Sequence, residues 1–148
     1  VDHLLQQLKF NGRLEVAQLL GQVMADWLAA VSDASPDHFI PVPLHDSRLR
    51  ERGFNQALEL ARPIAKRLGL PLDIHACRRT QATEPQTGLP RKARLKNIKG
   101  AFEVVRPVSG HVVIIDDVMT TGSTAHELAK TLRQAGADRV EVWVCARA

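Results

Sequence analysis

The chain has 148 residues, 45% of them hydrophobic and 24% charged, proportions that suit one globular domain and exclude a disordered tail or a fibrous repeat. Its net charge of +4 is unevenly placed: residues 1–47 hold 2 basic and 6 acidic side chains, residues 48–106 hold 14 and 5, and residues 107–148 hold 4 and 5. A middle segment at +9 between flanks that sum to −5 calls for anions, either the phosphates of a small ligand or nucleic acid.

Residues 13–31 are predicted helical, because Leu14, Ala17, Leu20, Gly21, Met24 and Leu28 recur at three- and four-residue steps; Trp27 and this apolar face are expected to pack on the domain, with contact to a partner as the alternative. Ser35-Pro36-Asp37 is loop punctuation, and Phe39 to Pro43 is a short apolar strand with prolines at its exit. Residues 54–69 form a helix with Ala57, Leu60, Ala61, Ile64 and Leu68 on one face and Gly69 as its stop. Leu70 to Ala76 is expected as a strand. Arg78 to Lys99 shows no period and is rich in Arg, Lys, Thr and Gln, so it reads as a long loop of the kind that is functional or disordered. Ala101 to Val105 is a further strand, followed by a turn at Pro107 to Gly110. Residues 111–116, HVVIID, have the continuous apolar pattern of a central parallel strand covered on both faces. A helix from Ser123 to Ala135, closed by Gly136, leads to a strand over Arg139–Cys145. Strand–helix–strand units imply an α/β fold with a parallel sheet and right-handed crossovers.

Other classes recede. Cys77 and Cys145 stand far apart with no CxxC, which encodes neither a disulfide framework nor a zinc site, and a reduced, cytoplasmic protein is the expectation. No run approaches the roughly 18 apolar residues of a membrane span, so no membrane insertion is expected, and the opening VDHLLQQLKF lacks the form of a signal segment. The chain starts at Val1, as a fragment or trimmed chain would. With no Tyr, two Trp and four Phe, platforms for stacking single-stranded bases are few, and composition favours phosphate binding over base reading.

The sharpest signal is VVIIDDVMTTGST, residues 112–124. Asp116 and Asp117 stand at the carboxyl end of the buried strand, the edge where open α/β sheets collect ligands. Thr120, Thr121, Gly122, Ser123 and Thr124 follow at a helix start, where backbone N–H groups and the helix dipole can hold a phosphate. Acidic side chains suit ribose hydroxyls, directly or through Mg²⁺ and its waters. Thr121, Ser123 or Thr124 taken singly is an ordinary helix cap; two consecutive carboxylates are not needed for capping. No GxxxxGK[ST] occurs, which excludes a P-loop.

This stretch resembles the signature for 5-phosphoribosyl 1-pyrophosphate (PRPP) in type I phosphoribosyltransferases. Further segments are similar to the ComF/GntX family: Leu8 to Gly12, Pro41 to His45, Arg48 to Gln56, Thr80 with Gln86, Arg91 to Arg94 before Asn97, and Ala101-Phe102. The resemblance runs from residue 4 to residue 147. It implies a single domain over 1–148 with the type I phosphoribosyltransferase fold, a central, mainly parallel sheet flanked by helices, and a small hood from about residues 1–36. It implies that Asp116 and Asp117 serve the ribose and hold Mg²⁺ indirectly, through ribose or water, as the catalytic pair. Val118 and Thr120 to Thr124 would hold the 5′ phosphate, and Pro43, Leu44, His45 and Arg48 the pyrophosphate. Arg91, Arg94 and Asn97 would act from a flexible loop that closes over PRPP; Arg50 and Arg52 offer further forks, whereas Arg78 and Arg79 read equally as plain surface. Two departures stand out. Thr120 occupies the place of the Asp that 6-oxopurine enzymes carry, and the 148 residues hold no four-cysteine zinc ribbon of the kind usual in the family, either because it was removed or because this homologue never had it.

The function so implied is Mg²⁺-dependent transfer of a phosphoribosyl group from PRPP to an unidentified nitrogen acceptor. The alternative is a single-stranded-DNA-binding accessory protein of DNA uptake and competence that uses the same fold without turnover, and a sensor that binds PRPP without turnover is a third form. A homo-oligomer or a partner from the competence machinery fits either role.

Overall fold

A computed structural model of the chain describes residues 14–33, 35–82 and 90–148; the Leu8–Gly12 segment and Gln86 lie outside them. Its centre is a parallel sheet in the order β1-β4-β5, made of β1 (His38–Pro41), β4 (Gly110–Met119) and β5 (Ala137–Arg147). Ile40 lies opposite Ile114, and Ile114 opposite Val142. Val112, Val113, Ile114 and Ile115 are all fully buried, which is why this stretch needs apolar side chains at every position rather than at alternate ones.

Each face has its own cover. Helix α1 (Leu14–Val31) and helix α3 (Gln56–Leu68) lie over Phe39, Val113 and Ile115 through Leu20, Leu28, Leu60 and Ile64. Helix α5 (Ser123–Gln134) covers Ile40, Val112 and Ile114 through Leu128 and Leu132. That second core also takes in Ile98 and Phe102, from elements beside the sheet.

The expected helix over 54–69 is α3 alone. Asn55 caps it, its Oδ1 accepting from Ala57 N at 3.0 Å and from Leu58 N at 3.4 Å, while its Nδ2 donates to Val42 O at 2.9 Å. One side chain thus ends the strand exit and starts the helix. Ahead of it lies the short helix α2 (Asp46–Arg52), capped by His45 and stopped by Gly53 at φ 81°. It buries no residue, so it left no apolar period to read.

Two expectations are corrected nearby. Leu70–Ala76 is not a strand: Leu72 makes a single parallel bridge to Phe39. Pro71 has no N–H to give to a ladder, and Asp73 Oδ1 accepts from His75 N and Ala76 N at 3.0 and 2.9 Å, curling the chain into a turn. Nor is 78–99 one long loop. It contains the end of β2 (Cys77–Arg79), antiparallel to β3 (Phe102–Val104), and helix α4 (Arg91–Ile98). Helix α4 anchors Ile98, 1% exposed, beneath a basic surface; one apolar anchor makes no period.

Helix α1 departs from expectation in another way. Ala17, Leu20, Gly21, Ala25 and Leu28 are buried, but Trp27 is 62% exposed, with Leu19, Val23 and Val31 also exposed beside it. By length and composition Leu14–Val31 is also apolar enough to cross a membrane, which the expectation of no such run missed. Contact between α1 and α3 depends on Gly21: a Cβ there would lie 2.4 Å from Pro63 Cγ and 2.8 Å from Leu60 O. Gly21→Ala is therefore expected to destabilise the fold by about 1 kcal/mol net in urea unfolding, because overpacking of about 1–3 kcal/mol exceeds a helix-propensity gain of about 1 kcal/mol. An unchanged midpoint would mean that the crossing has slack.

Candidate functional site

Strand β4 continues past the acidic pair to Met119, pairing Asp116 with Val144 and Val118 with Ala146. The carboxylates therefore sit within the paired strand rather than beyond its end, and strand alternation sends them to opposite faces. Asp116 follows Ile114 toward α5, where its charge acts on Arg79; Asp117 follows Ile115 toward α1 and α3, where its charge acts on Cys145. Each carboxylate also accepts from the next amide: Asp117 N donates to Asp116 Oδ1 at 2.9 Å, and Val118 N to Asp117 Oδ1 at 2.8 Å.

Asp116 and the run Val118 to Ala125 line one cleft, and Asp117 is not part of its wall. The turn is held from within. Thr121 Oγ1 lies 3.0 Å from Ser123 Oγ and accepts from Ser123 N at 3.4 Å. Gly122, at φ 76°, is the N-cap of α5 and makes no side-chain cap. A left-handed conformation suits Gly, and the first turn of α5, Ser123 to Ala125, lies in the cleft wall, where a helix start favours anions.

Basic residues reach the cleft from two sides. Val42 N donates to Ile115 O at 2.9 Å, which brings the Pro43–Arg48 loop alongside β4. Pro43 and Leu44 are half-buried there. His45 is engaged locally as the cap of α2, its Nδ1 accepting from Ser47 N at 3.2 Å. Arg48 donates to Glu51 at 3.0 Å. From the other side, α4 packs on α5, and Arg94 Nη1 donates to Thr120 Oγ1 at 3.4 Å. Asn97 is half-buried one turn further along α4, and Arg91 is exposed at its start.

Arg79 was overlooked in the sequence. Arg78 is exposed and pairs with Glu103 at 2.7 Å, whereas Arg79 turns inward, its guanidinium 5.6 Å from the centre of the Phe102 ring. Period-two alternation would have separated the two arginines had 77–79 been read as a strand. Among the described arginines only Arg48, Arg79 and Arg94 are not exposed, and Arg94 reaches the wall of this cleft at Thr120.

No group of three or more His, Cys, Asp or Glu among the described residues is arranged to hold a metal ion. One cleft carboxylate instead fits Mg²⁺ in its usual manner, carried mainly by a ligand's phosphates and by water. The cysteines are poor nucleophiles. Burial pushes the Cys77 thiol up to about 12, and burial followed by the Asp117 charge raises Cys145. Asp117→Asn removes the second of these effects and is expected to speed alkylation of Cys145 by iodoacetamide at pH 8. Equal rates in the two proteins would show that Asp117 does not face the thiol.

The phosphoribosyl transferase domain model matches residues 55–148. The chain is 41% identical over 152 residues to the DNA utilization protein YhgH of Escherichia coli strain K12, covering 97% of this chain and 66% of that protein. It is 35% identical over 156 residues to competence protein F of Haemophilus influenzae, covering 98% of this chain and 67% of the relative. Among solved structures, the glutamine PRPP amidotransferase from B. subtilis superposes with a TM-score of 0.58 at 23% identity, over 87% of this chain and 26% of that one; this shows a shared fold. The chain thus spans about two thirds of the length of the E. coli relative.

Proposed function

Since the chain belongs to the phosphoribosyl transferase domain family, on its ComF branch, we propose that it binds PRPP and transfers the phosphoribosyl group to a nitrogen acceptor. The observation that carries this reading is the cleft itself. A Gly-capped helix start and Arg94, bonded to Thr120 in the wall, serve phosphates, and one carboxylate, Asp116, serves ribose hydroxyls.

In this reading Thr120 to Thr124 orient the 5′ phosphate, and Asp116 accepts hydrogen bonds from the ribose. The bond from the anomeric carbon to pyrophosphate oxygen breaks as the bond to the acceptor nitrogen forms. Arg48 stabilises charge on the departing pyrophosphate, with Pro43, Leu44 and His45 shaping the loop that receives it. Arg94 holds α4 over the cleft and, with Arg91 and Asn97, limits water at the reacting carbon. Mg²⁺ bound with the ligand supplies further neutralisation of the pyrophosphate.

Calorimetric titration with PRPP, with and without Mg²⁺, tests this. Binding is expected to require Mg²⁺ and to be lost in Asp116→Asn/Asp117→Asn; undiminished binding in that variant would sink the proposal.

A second reading has its own observation. Arg50, Arg52, Arg91, Lys92, Lys96 and Lys99 are all exposed, and the names of the relatives refer to DNA utilization and competence. If single-stranded DNA is a ligand, affinity for an oligonucleotide should fall at least about tenfold between 50 and 200 mM salt, the signature of released counterions. Absence of binding at low salt removes this reading.

A further inference from the structure

Strand β5 ends the β1-β4-β5 order, and among the described residues no strand pairs with its outer side. It is 11 residues long, ADRVEVWVCAR, with no Pro or Gly, and Val142 to Ala146 carry no charge. Edges that meet only water are ordinarily kept short or broken by charge, Pro or a bulge; this one is not. Helix α1 leads to the same side of the molecule. Helix α3 covers β1 and β4, while α1 packs on α3 and on β5. The face that α1 buries meets Pro63 and Leu60 of α3 at Gly21, so its opposite face looks outward past β5. On that face Leu19, Val23, Trp27 and Val31, each more than half exposed, recur every four residues as one ridge of the kind that interdigitates with its like. Helix α1 holds no Lys or Arg, and an anionic lipid surface repels Glu15 and Asp26, so the ridge is not made for a membrane.

We propose that a second copy of this chain covers both features: β5 pairs antiparallel with β5 of the copy about a two-fold axis, extending the three-stranded sheet to six strands, and the two α1 ridges meet above the seam. Charge selects the register. Side chains opposite each other across such a pair lie on one face. With Val144 on the axis, Trp143 meets the partner's Cys145 and Glu141 meets the partner's Arg147, and the two-fold makes each of these contacts twice. Moving the axis to Trp143 would set Arg139 against the partner's Arg147, and moving it to Glu141 would set that carboxylate against its own copy. Ridge and edge together offer on the order of 600 Å² per copy, about 1,200 Å² buried in all, the lower end of the range for specific interfaces. The dimer is therefore one of micromolar strength.

Sedimentation velocity over about 5–200 µM chain tests it, and should show monomer passing to dimer within that range. Trp27→Glu and Arg147→Glu, both at exposed positions, should each weaken association at least about tenfold, as loss of a central aromatic or of opposed charges does. Oxidation reads the register. In chains carrying Cys145→Ser, Val144→Cys faces its own copy across the axis and should give a disulfide-linked dimer, whereas Val142→Cys faces the partner's Ala146 and should not. A chain that stays monomeric throughout, or a dimer indifferent to both Trp27→Glu and Arg147→Glu, overturns the proposal. Cross-linking through Val142→Cys but not Val144→Cys overturns it too, and monomers that sediment with anionic lipid vesicles would give the ridge to a membrane instead. No PRPP enters the experiment, so its outcome is independent of that reading.

Discussion

Asp116→Asn lowers affinity for PRPP with Mg²⁺ by about ten- to a hundredfold, whereas Asp117→Asn lowers it several-fold at most. The size follows from the hydrogen bonds a charged acceptor makes, about 1.5–3 kcal/mol, at about 1.4 kcal/mol per factor of ten. The inequality follows from strand alternation. Asp116 lines the cleft with the Val118–Ala125 turn, while Asp117 points to the α1–α3 side beside Cys145. Asn at 116 retains an Oδ1 to accept from Asp117 N, so the fold is expected to stay intact and far-UV circular dichroism to be unchanged. Titration of the two single variants measures the ratio. The opposite ranking would place the ribose on the other face of the sheet and displace the cleft from its assigned role.

Phe39→Ala costs about 3–5 kcal/mol of folding stability, the range for removing a large buried ring. Phe39 is fully buried at the centre of the α1–α3 core, with its ring 5.5 Å from that of Trp143 and tilted by 54°. Its backbone is committed as well, Phe39 N donating to Pro71 O at 2.9 Å and Phe39 O accepting from Asp73 N at 2.8 Å. The cavity would lie just beneath the strand that delivers the Pro43–Arg48 loop to the site. Against a typical stability of about 5–15 kcal/mol, such a loss is a large fraction of the whole. Urea unfolding followed by tryptophan emission measures it, and Phe39→Leu should recover more than half. A loss below about 1 kcal/mol would mean that the core collapses around the gap.

The division between what was legible in the chain and what was not follows the range of the forces involved. Strand β4 could be read directly because burial on both faces demands an unbroken apolar run, and HVVIID supplies one. Helices α3 and α5 announced themselves by a single apolar face and a glycine near the stop. The DDVMTTGST turn was legible as a helix start at a strand's end because its Gly cap and hydroxyl contacts are local.

What stayed hidden depends on partners remote in sequence. Cys77–Arg79 is a strand because Phe102–Val104 pairs with it, and only that pairing separates inward Arg79 from outward Arg78. Helix α4 is basic on its surface and held by Ile98 against a core made elsewhere, so no period betrays it. Trp27 looked like core by composition, yet α3 contacts the other stripe of α1 and leaves the indole in solvent. The acidic pair looked like one unit because its two residues are adjacent. Pairing β4 through Met119 separates them by placing successive side chains on opposite faces. Sequence by itself determined the α/β class and the family, because these rest on local pattern; tertiary structure decided which charged groups meet, because that depends on which strands pair and which faces are covered.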